Sequence, residues 1–231
     1  MSVFEKLTKG AIIDEHQGYA FYYYNNGEII EKVNGKTIVN TGDDINFDTN
    51  FRLASVSKQF IAFGIVSLIN MKKLNYNTTI TKVFNDLPKY FDKITIKHLL
   101  NHTSGIFDYE DMPHKENDHQ ILDNDIIDFL KTTNTTYFEP GSMYKYSNTA
   151  YILLGLIIEK VSGISISEYM DKEVFKQAKM NESIVNLEGI TNIKNRAYGH
   201  LKDEYGKLFM KDQYWCSATI GDGGLYSSIN D

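Results

Sequence analysis

Between Phe60 and Ile69 the chain is apolar on every face of a helix, broken only by Gly64 and Ser67. A helix of that kind has no side to offer to water and belongs in the middle of a protein. The pattern predicts that it packs between a sheet on one side and helices on the other, with Lys72, Lys73 and Asn75 ending it. A second strongly apolar helix is predicted from Thr149 to Val161, around Tyr151-Ile152-Leu153-Leu154-Gly155-Leu156-Ile157-Ile158, stopped by Ser162-Gly163. With 42% hydrophobic residues in 231 positions, the chain has the material to bury both.

Strands come first. Gly18 to Tyr24 is aromatic and β-prone, Asn25-Asn26-Gly27 is a turn signal, and Glu28 to Val33 reads as the return strand. Asn34-Gly35 suggests a second hairpin turn, with Lys36 to Asn40 as a third strand and the polar stretch Thr41 to Asn50 as a loop. After the first apolar helix, Thr95 caps a short helix through Leu100, residues 108–120 read as a charged surface loop, and Asp125 to Lys131 is a short amphipathic helix. Ser165 to Met180 reads as a further helix, and the chain after about residue 184 as short, loop-rich pieces ending in Gly221-Asp222-Gly223-Gly224. Strands and helices segregate along the chain, which is the α+β pattern. Two or three strands make a poor sheet for a chain this size, so further strands are expected to complete it.

The net charge of −6 leaves no electrostatic footprint for nucleic acid. No run approaches the roughly 18 apolar residues of a membrane span. The start Met1-Ser2-Val3-Phe4-Glu5-Lys6 lacks the pattern of a signal peptide, giving the expectation of a cytoplasmic protein. A lone cysteine, Cys216, excludes an intrachain disulfide framework. His98 and His102 stand four apart without the glutamate of a zinc-binding helix, and His114 and His119 lie in the charged loop, so no metal site is predicted. The glycine cluster has no lysine beside it to cradle a phosphate and reads as a tight loop.

Directly before the first apolar helix stands Phe51-Arg52-Leu53-Ala54-Ser55-Val56-Ser57-Lys58-Gln59-Phe60. Three residues of helix bring Ser55 and Lys58 to one face, with the serine at an N-terminus whose free N–H groups favour developing negative charge. An ammonium cannot accept a proton, so a lysine base must be neutral, and burial favours that form. The spacing alone is common: 14 serines and 22 lysines predict about one Ser-x-x-Lys by chance, and Ser142…Lys145 is a second. Ser142 follows a Pro-Gly turn with no apolar helix behind it, so context favours Ser55. Before the second apolar helix comes Tyr146-Ser147-Asn148, where a tyrosine could relay protons and an asparagine amide could hold a carbonyl. Asn148 as a helix cap with Tyr146 merely packed is the simpler alternative. Tyr-x-Asn also occurs at Tyr23…Asn25 and Tyr24…Asn26.

Taken in order, these pieces resemble the serine β-lactamase and penicillin-binding-protein superfamily, and within it the branch of class C β-lactamases, D-Ala-D-Ala carboxypeptidases and esterases. The active-serine segment is Phe51 to Phe60; Ile94 to Ile106, with Leu99-Leu100-Asn101-His102-Thr103-Ser104-Gly105, is similar to that branch's "LLxHTSG" segment. Phe138-Glu139-Pro140-Gly141 with Tyr146-Ser147-Asn148 resembles its second motif, and Gly223-Gly224-Leu225-Tyr226-Ser227-Ser228 with Asp231 its glycine segment. The resemblance implies an antiparallel sheet flanked by helices plus a mainly helical subdomain. As a single catalytic domain, residues 1–75 and about 190–231 would form the α/β part and about 76–190 the helical part. It implies Ser55 as acylated nucleophile, Lys58 as proton acceptor, Tyr146 as general acid/base and Asn148 as substrate contact, with no catalytic part for His102 or Ser104.

Two departures stand out. Gln177-Ala178-Lys179-Met180 replaces a Pro-Leu-Gly-Met type of turn. The family's third motif lies beyond Asp231, together with the last three strands of its five-stranded sheet and a second oxyanion donor. Loss of one such donor typically costs about 10²–10³ in rate. The expectation is therefore a chain that is part of a longer protein or a truncated product. The implied function is a cofactor-free, metal-free serine hydrolase acting on a small-molecule or peptide substrate: an ester, a β-lactam or a D-amino-acid peptide. The alternative is a non-catalytic homologue that binds a ligand or partner through the same cleft.

Overall fold

The computed structural model describes residues 1–10, 17–112 and 120–231. They form two compact units. The first comprises Met1–Arg52, Asn192–Gln213 and Ser227–Asp231, and the second Leu53–Thr191 and Tyr214–Tyr226. The boundary falls just before Ser55, so the first apolar helix groups with the helical unit and not with residues 1–52.

In the first unit, strands Tyr19–Asn25 and Glu28–Asn34 pair antiparallel with Asn25 opposite Glu28. The two residues between them, Asn26 and Gly27, have φ of +49° and +93°, the tight hairpin turn that an Asn-Gly pair favours. Lys36 to Asn40 does not form the third strand expected there. Thr37 donates its N–H to the Asp43 carbonyl and Gly42 to that of Ile38. The Thr37 carbonyl accepts from the Tyr198 N–H and the Val39 N–H donates to His200 Nε2, so this segment bonds to its own loop and to residues 198–200 instead of extending the hairpin. A second small hairpin pairs His200–Lys202 with Leu208–Met210. The largely buried side chains of Arg196 and Asp212 form an ion pair.

The second unit is built around the helix Asn148–Ser162, in which every residue from Thr149 to Ile158 is buried. Full burial of each large aliphatic side chain is worth about 1.5–3 kcal/mol, so this helix contributes substantially to the unit's stability. The Ser147 hydroxyl caps its start by accepting from the Ala150 N–H, and Gly163 at φ +81° ends it. Around it pack Ser57–Asn70, Ile96–Leu100, Asp123–Thr132 and Ile166–Met170. The last of these runs on through a π-helical stretch, Asp171–Phe175, to Lys176–Ala178, and Lys179 follows at φ +61°.

The first apolar helix is not enclosed as expected. Ser57–Asn70 buries Ser57, Lys58, Ile61, Gly64, Ile65 and Leu68, a stripe at helical spacing, while Phe63 is 54% exposed. On the buried stripe, Gly64 allows close packing, because a side chain there would meet Ile158 Cδ1 at 2.9 Å. The short strands Ile184–Val185 and Leu225–Ser227 pair antiparallel, Ile184 opposite Tyr226 and Val185 opposite Leu225. Among the described residues, no single helix is long and apolar enough to cross a membrane.

Candidate active site

Ser55 lies in a 3₁₀ turn, Ala54–Val56, that runs directly into the Ser57–Asn70 helix. Ala54 takes φ +45°, a left-handed backbone that a non-glycine residue adopts at a cost of roughly 1–3 kcal/mol. The Leu53 N–H donates to the Leu225 carbonyl, and the Leu225 N–H to the Ser57 hydroxyl. The short strand at Leu225 thus ties down both ends of the serine turn.

Lys58, 6% exposed, points back along this helix to Ser55 Oγ at 3.1 Å. It also donates to Asn148 Oδ1 at 2.8 Å and to the Asp222 carbonyl at 2.7 Å. Two fixed acceptors therefore occupy two positions on Nζ and leave the third facing the serine. On the other side of Ser55, Tyr146 donates its hydroxyl to Oγ at 2.7 Å. Lys58 and Tyr146 thus meet at the Ser55 oxygen, and Asn148 joins them through Lys58 Nζ. Ser142 and Lys145 do not: Ser142 donates to the Glu139 carbonyl, and Lys145 pairs with Asp111.

The cap alternative for Asn148 gives way to a different arrangement. Ser147 is the cap, and the Asn148 N–H donates to Asp108 Oδ2 at 2.6 Å, leaving the Asn148 side chain directed at Lys58. His102 and His98 each use Nδ1 as an acceptor for a backbone N–H, of Ser147 and of Thr95. Among the described residues no cluster of three or more His, Cys, Asp or Glu side chains could hold a metal ion.

Three participants escaped the sequence reading. Asp108 and Tyr109 fall within the stretch expected to be a surface loop, yet both are buried. The Tyr109 N–H donates to Thr149 Oγ1 and its hydroxyl to Asp222 Oδ2, at 2.8 and 3.1 Å. Burial and the neighbouring Asp222 push the Tyr109 phenol well above its ordinary range. Residues 113–119, with the two histidines at 114 and 119, lie outside the described residues. Asp222 is the third participant, 7% exposed, with Oδ1 buried and unpartnered among the described residues. Burial raises its carboxyl, against the attraction of Lys58. A usable signal lay in the glycines beside it. A side chain at Gly221 would meet the Tyr151 carbonyl at 2.3 Å, so this loop lies against the central helix, where the Asp222 carbonyl reaches Lys58.

The family model described as Beta-lactamase matches residues 6–231. The chain belongs to the Beta-lactamase family. It is 35% identical to a penicillin-binding protein of Bacillus subtilis (strain 168), over 96% of this chain and 50% of that protein. Its fold is similar to the crystal structure of a penicillin-binding protein from Bacillus halodurans. That match has a TM-score of 0.76 and 28% identity, covering 90% of this chain and 66% of the other. It is also similar to a D-amino acid amidase from Ochrobactrum anthropi SV3, with a TM-score of 0.75, 26% identity, and coverage of 90% and 60%. The α+β architecture, antiparallel strands with a helical unit, is that of this family of serine hydrolases. The chain spans about half the length of the curated relatives it matches.

Proposed function

We propose that this chain carries the nucleophile of a serine hydrolase that works through an acyl-enzyme on Ser55, with an ester, a β-lactam or a D-amino-acid peptide as substrate. One observation carries the reading: Ser55 Oγ lies 3.1 Å from Lys58 Nζ and 2.7 Å from the Tyr146 hydroxyl at the same time. A nucleophile, a base and a second proton carrier within hydrogen-bond reach form the arrangement that acyl transfer requires.

In the step so described, Ser55 Oγ attacks the substrate carbonyl and its proton passes to the Lys58 amine. The tetrahedral adduct collapses as the leaving group takes a proton through Tyr146, and the acyl group stays on Oγ. Water then attacks the ester, giving a proton back along the same route and releasing the acid. Asn148 is held by Lys58 through Oδ1 and hydrogen-bonds the Glu110 carboxylate with its NH₂, whose second hydrogen is available to a substrate carbonyl. The names of the relatives, a penicillin-binding protein and a D-amino acid amidase, support acyl transfer on amides of this kind.

Labelling with a fluorophosphonate or penicillin probe, followed by intact-mass and peptide mapping, tests it. One adduct is expected on Ser55, absent from Ser55→Ala and retained in Ser142→Ala. A folded wild-type chain that takes no adduct at Ser55 would sink the proposal.

A further inference from the structure

His102 holds the segment that carries Tyr146 at three points. Its carbonyl accepts from the Lys145 N–H at 3.0 Å, and its Nδ1 accepts from the Ser147 N–H at 3.1 Å. Between these two anchors its ring stacks on Tyr146, with centroids 4.6 Å apart and planes 28° from parallel. Tyr151 packs against the imidazole at 5.0 Å and Tyr144 meets it edge-on at 6.0 Å. The histidine itself stands at φ +56°, a left-handed conformation that a ring-bearing side chain seldom adopts.

We infer that His102 is a positioning residue that holds the Tyr146 hydroxyl against Ser55, and that the hold requires a neutral imidazole whose Nδ1 accepts from Ser147. The inference rests on the acyl-enzyme reading, in which Tyr146 carries protons. With Nδ1 as acceptor, the proton of the neutral ring is assigned to Nε2. Protonation turns Nδ1 into a donor facing the Ser147 N–H donor. That contact then becomes repulsive, and the chain is freed on one side of Tyr146.

The surroundings favour the neutral ring. Burial pushes His102 below its ordinary value, Lys58 on the nucleophile helix adds to the effect, and Asp108 opposes both. The other titratable groups against it are the phenols of Tyr144, Tyr146 and Tyr151. A histidine with a lowered folded value contributes stability fully above its unfolded value of about 6.5. That contribution is lost as pH falls from there through the lowered value. The clamp is therefore closed at neutral pH and opens on acidification.

The test compares wild type with His102→Asn, since asparagine tolerates the left-handed backbone and does not titrate. Hydrolysis of a p-nitrophenyl ester is followed from pH 4.5 to 9. The expected result at pH 7 is a kcat lowered by about 10–100-fold, the scale on which misplaced groups act. KM should stay within about threefold, and the wild-type acid limb should be lost. A merely structural histidine would change melting temperature and leave the shape of the profile alone. An independent arm needs no turnover: in the Ser55→Ala chain, the Ser147 amide resonance should titrate with the His102 ring. An amide that does not move as the ring titrates overturns the inference, and so does a His102→Asn variant with wild-type kcat or an unchanged acid limb. If the wild-type chain hydrolyses no ester, or the variant does not fold, the resonance titration alone decides. Absence of turnover counts against the acyl-enzyme reading only.

Discussion

The helices Ser57–Asn70 and Asn148–Ser162 have nearly the same composition, and each opens on residues of the candidate site, yet they are buried differently. From Thr149 to Ile158 the second helix is enclosed on every side. The first is enclosed along one stripe only, and Val56 just before it and Phe63 within it are 52% and 54% exposed. Hydropathy alone cannot separate the two cases. Position does: the second helix is the element against which the others pack, and the first is one of those packed onto it. The stripe that the first helix buries contains Lys58. One face therefore serves both as packing surface and as the wall of the site, whereas the second helix supports the site from its N-terminal end through Ser147 and Asn148.

Three substitutions would break or sharpen this contrast. Ile157 is wholly buried in the central helix, and Ile157→Ala should cost about 2–5 kcal/mol in urea or thermal unfolding. A loss under 1 kcal/mol would show that the central helix is not the organiser. Ser147→Ala removes the cap bond to the Ala150 N–H and should cost about 1 kcal/mol. Because Asn148 is next along the chain, the labelling rate at Ser55 measured in parallel tells whether the cap also sets the site. Phe63→Ser, on the exposed face of the other helix, should fall within about 0.5 kcal/mol of wild type. A larger loss would mean that something covers that face in solution and that the contrast between the helices is not intrinsic to this chain.

Much of this was legible from residue order. Asn26-Gly27 specified its hairpin because both positions need positive φ. Thr95, Ser165 and Gly163 marked helix ends through local chemistry that does not depend on tertiary contacts. Ser55, Lys58, Tyr146 and Asn148 were expected together only through the resemblance, since their spacing alone is ordinary. What the sequence concealed depends on long-range packing. Strands of two or three residues, such as Ile184–Val185 and Leu225–Ser227, carry too little alternation to register. Asp108 and Tyr109 sit among charged neighbours and are buried because Asp108 accepts from the Asn148 N–H and Tyr109 donates to Thr149 and Asp222. The Lys36–Asn40 segment has strand-like residues but finds its partners in its own loop, at Asp43, and far along the chain, at Tyr198 and His200.

The acceptors around Lys58 Nζ lie 3, 90 and 164 residues away along the chain. Contacts of such separation carry the loop-closure entropy that slows folding, so the lysine can be fully engaged only late in the process. During synthesis, the Ser55–Lys58 pair leaves the ribosome long before residue 222. Until that residue arrives, Lys58 lacks the Asp222 carbonyl that holds it in place beside Ser55.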